Sequence, residues 1–405
     1  MLPGPRPQPL GALPWPAGML LLPGGCDELA ADLVCGREPL EWPPGSEFMR
    51  RALDEDVDQA AALLADDDLF SRYNRAVLVG GDGVWEALAA QTTGELRALV
   101  DTARFSVGEI DEAPSADGTT GEIAAVVRSA RASAAIEIDD IPGAIEELAA
   151  AAADAEAANS PLLAASLHLT RAELLRERLD EPAAAARESD LAIQRLPLTA
   201  PSELRAELQV SRALARQQLA GTERGALLAV VADLTEASKV FREDTYPEMF
   251  ATINQHLALA YLVMPMSSEG DRIRVGVAVN SLRGALRVFT PQTHPVAWAS
   301  TQLNLANALQ YLPSVHQESN LDESVQLYEE LLQYRDPQRD PIGYARILAN
   351  QGNALGHLGV FGDARERLDR ARGLFEGAGD MESVIGVDEI LVSLETAQVA
   401  ARGGA

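Results

Sequence analysis

Aromatic residues, lysine and cysteine are scarce in this chain of 405 residues, which argues against particular folds and kinds of site. Aromatic residues make up 5% of the chain against 47% hydrophobic residues, so alanine and leucine must supply most of the apolar surface. This mixture favours closely packed helices over sheets, which prefer β-branched and aromatic residues. The two cysteines, Cys26 and Cys35, are too few for a disulfide framework or a zinc site, and we expect reduced thiols in a cytoplasmic protein. No run of about 18 apolar residues occurs, so we predict no membrane span.

The charge of the chain excludes further classes of function. The formal net charge is −28, from 61 acidic and 33 basic residues, with Lys239 as the single lysine. Such a field repels nucleic acids and anionic membranes, so we expect a protein or peptide partner that is basic or mainly apolar. The five histidines are scattered, and no zinc-protease motif, nucleophile elbow or cofactor fingerprint is present. We therefore predict no catalytic residues, no metal and no cofactor, and no motif defines the oligomeric state.

The first 110 residues lack any repeat. Residues 1–25 are rich in proline, which predicts an extended tail whose adhesive groups are Trp15 and Leu20–Leu22. Such a tail is either loose, or laid over the protein's own surface, or an internal ligand for its groove. Residues 26–110 are predicted to form short helices, with Ser46 and Thr93 as N-caps. The predicted segments are Cys26–Val34, Glu47–Ala52, Val57–Leu64, Leu69–Val79, Val84–Gln91 and Thr93–Phe105.

A repeating pattern occupies residues 119–398, with a last capping helix and a flexible tail at 399–405. Its prolines each open a predicted helix and follow one another at 40 to 48 residues. They are Pro161, Pro201, Pro247, Pro295 and Pro341, with Met381 at the next equivalent place. Counted back from each of these six residues, the residue 17 positions earlier is mostly small, and so is the residue 10 positions earlier. The residue 13 positions earlier is large and apolar or aromatic, with Glu188 as the exception. Two helices per period of this length predict an all-α fold, an α-solenoid of stacked antiparallel helix pairs.

The best repeats carry a family resemblance. Asn304-Leu-Ala-Asn-Ala308 and Asn350-Gln-Gly-Asn-Ala354, each followed by a second helix with small residues seven apart, resemble tetratricopeptide repeats. The match is best over residues 295–376, while Arg212 stands where a small residue belongs. The period exceeds the family's usual length, as in long bacterial variants, partly through links at Ser267–Asp271 and Pro313–Asn320. The resemblance implies a superhelix whose concave groove is lined by the first helix of each pair.

The same resemblance implies which residues face the groove. Carried over position by position, the partner-binding residues are Thr252, Gln255, Leu259, Ser300, Leu303, Asn307, Gln310, Arg346 and Asn353. An asparagine amide holds both a donor and an acceptor, so Asn307 and Asn353 can bracket the backbone of an extended peptide. Asn304 and Asn350 are expected to bond within the repeats instead. Arg346 can bind a carboxylate with two parallel bonds.

Three functions remain open on the sequence alone. The leading hypothesis is a non-enzymatic scaffold or adaptor that holds a protein or peptide partner in the groove and assists assembly of a larger complex. The second is a regulatory sensor, in which the array binds a small ligand or peptide and the N-terminal region relays the signal. The third is an enzyme whose catalytic domain lies within residues 26–108.

Overall fold

The computed structural model describes residues 8–265, 272–312 and 316–403. Within these ranges the regular elements are all helical, and most consecutive helices within each unit pack against each other, which confirms the all-α solenoid prediction. The chain divides into two compact units, residues 1–219 and 220–405.

The first unit contains a short 3₁₀ helix, Ala17–Met19, and eleven α-helices among its described residues. They are α1 Asp27–Leu33, α2 Glu47–Leu53, α3 Val57–Ala62, α4 Leu69–Val79, α5 Val84–Ala89, α6 Gly94–Ser106, α7 Gly121–Glu137, α8 Ile141–Ala157, α9 Pro161–Glu177, α10 Pro182–Arg195 and α11 Ser202–Ala220, whose last residue belongs to the second unit. The described part of the second unit adds eight more. They are α12 Arg224–Ala237, α13 Pro247–Val263, α14 Arg272–Ala285, α15 Pro295–Tyr311, α16 Gln317–Tyr334, α17 Pro341–His357, α18 Phe361–Ala378 and α19 Met381–Gly403.

The six short helices predicted for residues 26–110 are all present, with ends that differ from the prediction by at most two residues. Asp68 accepts hydrogen bonds from the backbone of Phe70 and Ser71 and so caps α4. Ser46 and Thr93 do precede α2 and α6, but neither side chain makes a cap hydrogen bond. The Ser46 hydroxyl donates instead to the carbonyl of Pro43 at 2.7 Å.

The prediction of an extended tail over residues 1–25 is wrong for residues 8–25. Leu20, Leu21 and Leu22 are buried in the hydrophobic core that helices α1–α6 build. The Asn74 side chain brackets the Leu21 backbone, accepting from its N–H at 2.8 Å and donating to its carbonyl at 3.0 Å. The segment is thus a structural part of the first unit, because its apolar side chains gain more from burial than a solvated tail could.

Tight turns join the consecutive helices α7, α8, α9 and α10. Asp139, Asn159 and Asp180 adopt a left-handed backbone conformation at the helix ends, which asparagine and aspartate tolerate better than most residues. The residue after each of these donates its backbone N–H to a carbonyl near the end of the preceding helix. Ser160, for example, donates to the carbonyl of Ala155 at 2.9 Å. These turns place consecutive helices antiparallel, as the repeat pattern predicts.

The proline pattern matches the helix starts. Helices α9, α13, α15 and α17 begin at a predicted proline, α11 begins one residue after Pro201, and α19 begins at Met381. The small residues in the predicted positions are mostly buried where paired helices cross. The fully buried ones include Ala144, Ala151, Val230, Ala237, Ala278, Ala285, Ser324, Ala364 and Ala371.

The aromatic residues at equivalent positions of three repeats have different ring partners, drawn from the same part of each repeat. Trp298 packs its ring against Tyr334 with the centroids 4.7 Å apart. The guanidinium groups of Arg287 and Arg370 lie over the rings of Phe250 and Tyr344. Each aromatic residue therefore contacts a residue from the second half of its own repeat, which is what a true repeat requires.

The predicted C-terminal tail and the two predicted links can be compared with the structure only in part. Helix α19 continues to Gly403, so the flexible tail predicted from residue 399 is wrong for residues 399–403. The predicted link at residues 267–271, and residues 313–315 of the second link, lie outside the described residues.

Candidate functional site

The first helices of successive pairs lie side by side in the second unit. Helix α13 contacts α15, α15 contacts α17, and α17 contacts α19. The predicted groove residues belong to three of these helices, and the structure brings several of them together. On α13 they are Thr252, Gln255 and Leu259; on α15 they are Ser300, Leu303, Asn307 and Gln310; on α17 they are Arg346 and Asn353. Most are half-buried, Arg346 is exposed, and Gln310 is buried.

Polar contacts join neighbouring first helices at these positions. The Gln255 amide donates to the Ser300 hydroxyl at 3.4 Å, which links α13 to α15. The Asn353 amide donates to Gln310 Oε1 at 3.1 Å, and the Asn350 amide donates to Asn307 Oδ1 at 3.0 Å, which link α15 to α17. Polar side chains therefore link α13 to α15 at one place and α15 to α17 at another.

Tyr328 of α16 connects the two links between α15 and α17. Its hydroxyl donates to Asn307 Oδ1 at 2.5 Å and accepts from Gln310 Nε2 at 2.7 Å. The side chain is fully buried, and burial raises the pKa of its hydroxyl, so the phenol keeps the proton it donates. We call Asn307, Gln310, Tyr328, Asn350 and Asn353 the amide network.

The amide network fixes the orientation of its two outer asparagines. Both lone pairs of Asn307 Oδ1 are occupied by Tyr328 and Asn350, so this oxygen must face the network. Among the described residues, Asn307 Nδ2 and Asn353 Oδ1 have no hydrogen-bonding partner. One donor group on α15 and one acceptor group on α17 are thus unpaired among the described residues.

Several predicted roles need adjustment. Asn350 was expected to bond within its own repeat, but it donates to Asn307 of the preceding one. Gln310 is 9% exposed and uses both ends of its amide in the network, so we reassign it from partner contact to positioning of its neighbours. Thr252 donates to the carbonyl of Glu248 in its own helix.

A second buried polar cluster lies in the first unit. His168 Nδ1 lies 2.7 Å from Glu188 Oε2 and its Nε2 lies 3.2 Å from Glu156 Oε1. Arg171 also pairs with Glu188, and Arg195 with Glu156. Burial by itself raises the pKa of Glu188, but the bond from His168 and the charge of Arg171 together hold that pKa below its ordinary value.

Sequence reasoning missed the roles of Tyr328 and of the His168 cluster. Tyr328 fits the apolar pattern of the second helices, and nothing in that pattern distinguishes a buried hydroxyl from a buried leucine. Glu188 did give a signal, because it is the one charged residue at a position where the other repeats place a large apolar or aromatic side chain. A carboxylate at a core position needs partners of opposite charge, and His168 is 20 residues away in sequence.

Among the helices of the described residues, none combines the length and apolarity needed to cross a lipid bilayer. In the same part of the chain, no three histidine, cysteine or acidic residues are grouped as they would be to hold a metal ion. Comparison with known families and proteins adds no identity: no protein-family model matches this chain, and no curated protein matches it.

Proposed function

We propose that this chain is a non-enzymatic scaffold or adaptor that holds an extended segment of a protein partner against helices α13, α15 and α17. The single observation that carries the proposal is the amide network, which leaves Asn307 Nδ2 and Asn353 Oδ1 available on adjacent helices. A donor on one helix and an acceptor on the next first helix can bond to a carbonyl and an N–H of an extended backbone. The tetratricopeptide resemblance, which assigns these helices to the concave groove, supports the same surface.

The chain itself contains an example of this chemistry. Asn74 binds the backbone of Leu21 through one donated and one accepted hydrogen bond, with no contribution from the identity of the Leu21 side chain. Recognition through an amide is therefore independent of sequence, and selectivity must come from neighbouring groups. Arg346 is exposed beside the network and favours an acidic residue locally, whereas the net charge of −28 attracts basic partners over longer distances.

We further propose a tetratricopeptide-like, long-period repeat array that works in the cytoplasm. Helix pairs that begin at regularly spaced prolines and cross at small buried residues support the repeat assignment. Neither Cys26 nor Cys35 forms a disulfide, which fits a reducing compartment.

Replacing Asn307 by aspartate is expected to weaken partner capture about tenfold while the fold is kept. Aspartate retains an oxygen for Tyr328 and Asn350 but places a second oxygen where Nδ2 now offers its protons. The variant and the wild type are immobilised, and the partner recovered from native lysate is quantified by mass spectrometry.

The matched control is Asn304→Asp, the same change one helical turn away on α15, outside the amide network. It should recover as much partner as the wild type. If Asn307→Asp and Asn304→Asp recover equal amounts, the assignment of Asn307 to the partner is wrong.

A further inference from the structure

A cavity of about 450 Å³ lies in the first unit. It lies where the end of α8, the start of α9 and the end of α10 meet, beside Cys35, which follows α1. This volume falls within the range of about 300–1,000 Å³ that is usual for small-molecule sites. Its apolar wall consists of side chains too small to fill it. They are Pro161, Ala164, Ala165 and Ala192.

Ser160 is one of the residues that line this cavity, and its hydroxyl has no protein partner among the described residues. Ser160 is fully buried, and its Oγ makes no hydrogen bond. It stands at the N-cap of α9, the place where Asp140 caps α8 by accepting from Gly143 at 3.1 Å. At α9 the Ser160 hydroxyl makes no cap bond, and the N–H of Leu162 donates to the carbonyl of Val34 at 3.3 Å. A buried hydroxyl that satisfies nothing in the protein is costly unless a bound molecule uses it.

Arg195 brings a guanidinium group to the cavity. It pairs with Glu156, and its remaining N–H groups can donate to a bound anion. Glu188 lies behind His168 and is balanced by Arg171. The N-terminus of α9 contributes a further partial positive charge at the cavity.

We propose that this cavity binds a small organic monoanion, namely a carboxylate attached to an apolar body. The carboxylate accepts from Ser160 Oγ and pairs with Arg195, while the apolar body packs against Pro161 and the small alanines of α9 and α10. Because Cys35 comes from the N-terminal helices and the other lining residues from α8–α10, the ligand contacts both parts of the first unit. This inference goes beyond the proposed scaffold function and shares no residue with the amide network, so either can fail alone.

The test uses benzoate, phenylacetate and octanoate as probes, with benzamide and phenylacetamide as neutral counterparts. Binding is measured as a rise in the Tm of the full chain and as slower alkylation of Cys35 by iodoacetamide, followed by peptide mapping. Cys26 is buried, and the mapping separates it from Cys35. At least one carboxylate should raise the Tm and protect Cys35, and the amides should do neither.

Two variants assign the binding to the named groups. Ser160→Ala and Arg195→Gln should each weaken binding of the active carboxylate about tenfold, as expected for the loss of one charge-assisted hydrogen bond. Ser160→Ala removes a hydroxyl that bonds to nothing in the protein, so its fold should persist without ligand. Arg187→Gln, on an exposed position of α10, is the control and should bind as the wild type does.

Three results would each overturn the proposal. The first is that no carboxylate raises the Tm or protects Cys35. The second is equal binding of the neutral amides. The third is unchanged binding by both Ser160→Ala and Arg195→Gln.

Discussion

Replacing Gly352 by alanine is expected to lower the free energy of unfolding of the second unit by about 1–2 kcal/mol. Gly352 lies where α17 crosses α18, and an added Cβ would lie 2.8 Å from Leu368 Cγ and 3.0 Å from the carbonyl oxygen of Ala364. Overpacking of this kind costs about 1–3 kcal/mol, of which the better helix propensity of alanine returns about 0.5–1 kcal/mol. Ala258 and Ala306 are the buried equivalents in the two preceding repeats.

Gly373 is the matched control for this change. It lies within α18, it is exposed, and an added Cβ would meet nothing within 4 Å. Gly373→Ala should therefore stabilise the unit by about 0.5–1 kcal/mol. Urea denaturation followed by circular dichroism gives both values. Equal effects of the two substitutions would show that Gly352 does not mark a close crossing of paired helices.

Replacing Glu188 by glutamine is expected to destabilise the first unit by about 3 kcal/mol. The side chains of Glu188 and His168 are 15% and 8% exposed, so His168 and the positively charged Arg171 would lose their shared partner in a poorly hydrated place. Glutamine has nearly the same volume, which leaves packing intact, but it has no charge and replaces one of the two oxygens that now face His168 and Arg171 by an NH₂ group. Glu146→Gln, an exposed change on α8, should stay within about 0.5 kcal/mol of the wild type.

The Glu188 contribution has a defined pH dependence. Its pKa in the folded protein lies below the ordinary value of 4.5, so the folded state binds this proton less readily than the unfolded state. The contribution is therefore complete above pH 4.5 and is lost as the pH falls through the folded-state pKa. The stability difference between wild type and Glu188→Gln should be constant near neutral pH and shrink in acid. A difference that grew in acid would contradict the assignment.

The repeat array was predictable because its signal is redundant. Each proline anchor, small residue and large residue recurs at a fixed offset, so one exception such as Glu188 does not hide the period. The short N-terminal helices were found from local caps and apolar spacing. The proline-rich segment was not, since only the fold shows that Asn74 and the core of the first unit hold Leu20–Leu22.

The candidate site was predictable in position but not in chemistry. The resemblance selected residues that do lie together on neighbouring first helices, as Gln255 with Ser300 and Gln310 with Asn353 show. It could not indicate that Tyr328 ties those amides together, because that contact depends on how a second helix packs between two first helices. The cavity at Ser160 has no sequence signature either, since alanine walls look like ordinary helix packing.

Site-specific photocrosslinking from two faces of the second unit tests the partner surface most directly. A benzophenone side chain is placed at Ser300 or Arg346 on the first helices, or at exposed Gln326 or Glu366 on the second helices α16 and α18. We expect crosslinks from Ser300 and Arg346 to one segment of a single partner, with few from Gln326 and Glu366. Crosslinks that arise equally from both faces, or from the second helices alone, would contradict it.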